Sequence, residues 1–143
     1  MITVRIDTSK AERMLADLPD VLARARRKAL ESIGAAVVSR TTLAFRTPNV
    51  RPSPWAPRKD KKATHPLLIK SGALRQSFSW RLEPPNTVVV GTPHKYANYH
   101  QLGTKNMPAR PFFPVDKYGS LTPDMARKID QIIGKAYSEA LKS

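Results

Sequence analysis

The apolar patterning predicts an α+β fold, with two long helices packed on a small, mainly antiparallel β-sheet and a long basic proline-rich loop. Three observations predict it. Helical spacing runs through residues 21–44 and again through 125–141. Period-two alternation marks 2–6 and a hairpin over 78–91. Between helix and hairpin, residues 46–66 keep neither period.

In chain order, Ile2, Val4 and Ile6 alternate with Thr3 and Arg5 as a half-buried strand. Thr8 or Ser9 then caps a helical turn through Ala11, Met14, Leu15 and Leu18, interrupted at Pro19. Asp20 restarts the helix. Leu22, Ala25, Ala29, Ile33, Ala36, Val37 and Ala44 recur at three- and four-residue steps, and Arg24, Arg26, Arg27, Lys28 and Arg40 occupy the other side. This gives an amphipathic helix of about seven turns that ends before Thr47-Pro48.

Residues 46–69 are expected to form an extended, mobile loop. Pro48, Pro52, Pro54, Pro57 and Pro66 punctuate it, and Trp55 is expected to anchor it. Ser71–Gln76 reads as a short capped helix. Phe78–Leu82 and Thr87–Gly91 form a hairpin around Pro84-Pro85-Asn86, its second strand apolar enough to be central. Tyr96–Leu102 makes another short helix, with Gly103 in the C′ position. Met107–Pro114 is extended. Thr122-Pro123-Asp124 supplies a cap, an N1 proline and a first-turn acid for a last helix carrying Met125, Ile129, Ile132, Ile133, Ala136, Tyr137, Ala140 and Leu141.

The 143 residues suit one domain, 1–143. Cysteine is absent, which excludes a disulfide framework, a thiolate metal site and a cysteine nucleophile. Neither a signal peptide nor an apolar run of ~20 residues is seen, so a soluble protein made in the cytoplasm is expected, with no membrane partner. Twenty-five Lys and Arg against eleven Asp and Glu leave +14, with an isoelectric point near 10.6, which favours polyanions or acidic protein surfaces as partners. Arg46, Arg51, Arg58, Lys59, Lys61 and Lys62 concentrate that charge in the loop. If all six met phosphates, the salt slope would be about −5.

Catalytic signatures are weak. His94 and His100 stand six apart, off one helical face and outside zinc spacing, and no metal or other cofactor is expected. No paired acids, phosphate loop or nucleophile elbow stands out. His100, Arg110, Lys105 and Tyr96 keep open one alternative, a small metal-independent ribonuclease. A non-catalytic nucleic-acid-binding protein is another.

Five fragments in a fixed order resemble a known family. They are Trp55-Ala56-Pro57, Leu68 to Ser77 (with Leu74), Val88 to Thr92 (with Gly91), Tyr96 to Gly103, and Met107 to Phe113. The sequence resembles the phage virion morphogenesis family, the tail completion proteins of Mu- and P2-like phages, and is similar to head–tail connector (neck) proteins of HK97-like phages. Only Thr104-Lys105-Asn106 separates Gly103 from Met107, a shorter link than many relatives carry. The resemblance implies a structural, non-enzymatic role in the virion. It implies tail completion or head–tail joining at the head-proximal end of the tail, by a homo-oligomeric ring among other tail and neck proteins. Genomic DNA in the lumen is a candidate non-specific contact. Trp55, Leu74, Gly91, Tyr96, His100, Gln101, Gly103, Pro108, Arg110, Pro111 and Phe112 are the implied structural or interface residues.

Overall fold

The computed structural model describes residues 2–12, 19–57 and 72–142. The alternating β-branched residues form β1 (Ile2–Asp7), β2 (Ser79–Glu83) and β3 (Thr87–Thr92), a fully antiparallel sheet in the order β1-β3-β2. The apolar strand is indeed central. Val88 and Val90 are fully buried, and the register sets Ile6 and Leu82 beside Val88, and Val4 and Trp80 beside Val90. These side chains share the core face, because every second residue points the same way. On the opposite face, Arg5 and Arg81 flank Val89, and both reach Glu83.

After the helical turn α1 (Ser9–Glu12), α2 spans Pro19–Leu43. Pro19 opens the helix rather than lying before it, as suits a residue with no N–H to donate. Residues 13–18, on which the first apolar turn was expected, lie outside the described residues. One flank of α2 buries Leu30, Ile33 and Val37 in the main core. A second flank packs Ala25 and Ala29 against Ala136 and Tyr137 of the last helix, α4 (Pro123–Lys142).

Both long helices contribute to the core on the sheet: α2 packs on β2 and β3 and along α4, and Met125 and Ile129 of α4 join Ile6, Val88 and Val90 in the main core. Gly34 makes the sheet contact close. A Cβ added there would lie 2.6 Å from Trp80 Cγ.

The cations of α2 also find partners within the chain. Arg26 meets Glu12, Arg27 meets Glu31, Lys28 meets Glu139 and Arg40 meets Asp124. Ser71–Gln76 was expected to form a helix. Residues 72–76 make a single turn, closed by Gln76 N–H on the Gly72 carbonyl, with Leu74 buried in the core. Ser71 lies outside the described residues. No helix among the described residues is long and apolar enough to cross a membrane.

Candidate interface site

The short helix α3 (Ala97–Leu102) and the proline-rich stretch 107–114 are joined by backbone hydrogen bonds, and residues 55–57 meet that stretch. α3 buries Ala97 and Gln101, spaced four apart and so on one face. It ends at Gly103, φ 75°, whose N–H returns to the Tyr99 carbonyl at 2.8 Å. The glycine is required twice over. Its φ is left-handed, and a Cβ would lie 2.8 Å from the Ala109 nitrogen. Thr104 and Met107 then exchange two backbone hydrogen bonds, so the short three-residue link forms a tight turn.

Gln101 holds the returning strand. Its Oε1 accepts the N–H of Phe112 at 2.9 Å and of Phe113 at 3.0 Å, all three residues being buried. The Arg110 N–H donates to the His100 carbonyl at 2.7 Å. The guanidinium of Arg110 reaches outward to the proline-rich loop, donating from Nε to the Ala56 carbonyl and from Nη2 to the Pro57 carbonyl. Trp55 completes the circuit by donating Nε1–H to the Pro111 carbonyl at 2.7 Å. Pro108, Pro111 and Pro114 lack an N–H, which reduces the donors this packed segment must satisfy.

Aromatic packing sits beneath this clamp. Phe45, at the end of α2, stacks on Phe112 at 5.4 Å and meets Trp55 edge-on at 5.9 Å. Phe78 contacts both Phe112 and Phe113. Over the Trp55 ring lies the Arg51 guanidinium, 3.6 Å from the centroid. Arg51 also donates to the carbonyls of Ala44 and Phe45, just past the C-terminus of α2, where a cation is favoured by the exposed carbonyls. Burial lowers its pKa.

The structure therefore brings together Trp55, His100, Gln101, Gly103, Arg110, Pro111 and Phe112. Leu74 belongs to the main core. Gly91 is buried in β3, opposite Thr3 and Ser79. Tyr96 and Pro108 are exposed, and Tyr96 lies against Lys95 and His94. Of the loop cations, Arg46 is exposed, Arg51 is held as described, and Arg58, Lys59, Lys61 and Lys62 lie outside the described residues.

His100 is the titratable group at the centre. Burial, then the charge of Arg110, then His94 lower its pKa, and its Nδ1 is buried without a hydrogen-bond partner. Of the residues grouped with it as a ribonuclease constellation, Tyr96 and Lys105 are exposed to solvent, and Arg110 has two donor groups occupied by carbonyls. Among the described residues, no group of three His, Cys, Asp or Glu could hold a metal ion.

Sequence reasoning missed Phe45, Phe78 and the Arg51–Trp55 stack. A cation eight residues past the end of α2 was the only local signal for the last.

The profile of the phage virion morphogenesis family matches residues 6–136, which takes in the end of β1, all of α2, most of α4 and the whole clamp. The chain belongs to this family. No curated protein and no solved structure matches it. As a member of the phage virion morphogenesis family, it is a structural protein of a phage virion and works with other virion components.

Proposed function

We propose that this family member acts as one α+β assembly domain in tail completion or head–tail joining, as a ring-forming component at the head-proximal end of the tail. The observation that carries this reading is the family match over residues 6–136. The clamp supports it by a physical route. Gln101, Arg110 and Trp55 hold residues 55–57 and 110–113 rigidly before any partner arrives, so little ordering entropy remains to be lost on docking. Trp55, His100, Gln101, Arg110, Pro111 and Phe112 act as positioning residues in this reading, and Tyr96 and Pro108 are the exposed members that meet neighbours. Because Arg110 fixes Pro57, the basic stretch that follows starts from a defined point on the body.

In the ring, the cations Arg46, Arg58, Lys59, Lys61 and Lys62 face either DNA in the lumen or the acidic surface of an adjacent ring. The resemblance to HK97-like neck proteins belongs to the same proposal. The test is negative-stain electron microscopy of lysates from a phage or prophage lacking the gene. Separate DNA-filled heads and free tails, rescued by supplying the protein, are expected. Normal infectious particles would overturn the joining role. Replacing Arg58, Lys59, Lys61 and Lys62 with serine should leave folding intact and impair joining or DNA retention. Unchanged infectivity would remove the loop from the mechanism.

A further inference from the structure

The charge of this protein is not confined to the proline-rich loop. α4 carries Arg127, Lys128, Lys135 and Lys142, all exposed. Helical geometry of 100° per residue places Lys128, Lys135 and Lys142 within about 40° of one another, at seven-residue steps, with Arg127 about 60° round from Lys142. From Arg127 to Lys142 the strip runs roughly 22 Å at 1.5 Å per residue. The acids Asp124 and Glu139 lie in the same row, and the uncharged Gln131 and Ser138 are exposed beside it.

Two acids of α4 lie on this face, and both are paired with cations of α2. Asp124 is engaged by Arg40 of α2, and Asp130 projects from a different side of the helix. Glu139 is held by Lys28 of α2 at 2.9 Å and draws Lys135 and Lys142 around it. Arg127 and Lys128 have no acidic partner among the described residues.

What fits such a face follows from what it lacks. The apolar side of α4, with Met125, Ile129, Ala136 and Tyr137, is buried, so the helix has no apolar face to insert into a lipid surface. A protein interface would want an apolar or aromatic centre. The exposed Leu141 lies about 40° round the helix from Arg127, a single apolar side chain at the edge of the face and not an apolar centre. With Lys28 and Arg40 of α2, the strip sets six cations against the two acids Asp124 and Glu139, a net positive surface that matches a phosphate backbone. A duplex offers roughly one negative charge per 1.7 Å of axis along it.

We propose that the outer face of α4 is a sequence-independent docking surface for duplex DNA, with Arg127, Lys128, Lys135 and Lys142 contacting phosphates. This site is distinct from the loop and does not depend on ring formation.

The test is fluorescence anisotropy of the full chain with a labelled random-sequence duplex over a salt series, compared with an Arg127→Gln, Lys128→Gln, Lys135→Gln, Lys142→Gln variant. Circular dichroism and thermal melting check that the variant folds. Should it not fold, Lys135→Gln with Lys142→Gln takes its place. Four lost phosphate contacts should flatten the log–log salt slope by roughly 3 to 4 units, and the pair by about 2. A folded variant with an unchanged slope would overturn the proposal and leave DNA binding to the loop. So would failure of the unaltered protein to bind duplex at low salt. An unchanged slope together with defective head–tail joining in the same variant would assign the face to an acidic protein. These readouts are independent of the electron microscopy of the gene deletion, so either reading can fail alone.

Discussion

Gln101 is the residue on which the clamp turns, because one side-chain oxygen serves two buried backbone donors, those of Phe112 and Phe113. Replacing it with Leu keeps most of the volume and leaves both N–H groups unpartnered. At ~1–3 kcal/mol for each unsatisfied buried donor, a loss of about 2–4 kcal/mol is expected in urea unfolding, with some relief from relaxation. A change below about 1 kcal/mol would mean that water or local movement replaces the bond.

His100 next to it makes a pH prediction. Its folded-state pKa lies below the ordinary 6.5, so the unfolded chain takes up the proton first as pH falls. Stability is therefore full above about 6.5 and declines as pH drops from there through the folded pKa. A His100→Asn variant should show a shallower decline over that window in parallel melts. Identical pH profiles would exclude this histidine as the source. Cation placement is also decided at this scale. Arg51, one of six cations in a basic stretch, has its guanidinium on Trp55 and on two carbonyls, because a planar fork of donors suits carbonyls at a helix end.

Among the elements, the contact between α2 and β2 depends on a residue with no side chain. Trp80 is 37% exposed, yet its ring root rests where a Gly34 Cβ would be. Gly34→Ala would gain up to ~1 kcal/mol in helix propensity and lose more by pushing Trp80 Cβ and Cγ away. The expected net result is destabilisation of roughly 1–2 kcal/mol with a red-shifted tryptophan emission. A more stable variant with unchanged emission would show that the sheet yields instead. Elements also differ in how far local signals reach. α4 was legible to within a residue, because Thr122-Pro123-Asp124 states its start and the apolar residues recur without a break. Ser71–Gln76 has a helix-like composition, but its described residues make one turn before the chain enters β2 at Ser79.

For the whole molecule, α2 is the shared element, packing on the sheet and along α4, and its polar flank is tied to the rest of the chain by Glu12, Glu139 and Asp124. This arrangement leaves the outer face of α4 and the clamp open to neighbours. Both the joining assay and the salt titration test that division of surfaces. A virion component built this way would keep its fold while partners change around it.

By itself, the sequence determined the fold class, the strands, the central position of β3, the two long helices and the ordered fragments that mark the family. These depend on periodicities and turn residues read within a few positions, where local sterics and backbone hydrogen bonding decide the outcome. Only the tertiary structure decided that α4 lies on α2, that Trp80 rests on Gly34, that Arg51 turns inward, and that Gln101 holds Phe112 and Phe113. Trp55 and Pro111 are 56 residues apart, and Arg110 and Ala56 are 54 apart. No local spacing announces such partners. They are chosen when the aromatic core closes, because a buried donor or acceptor must find whichever partner the packing brings within reach.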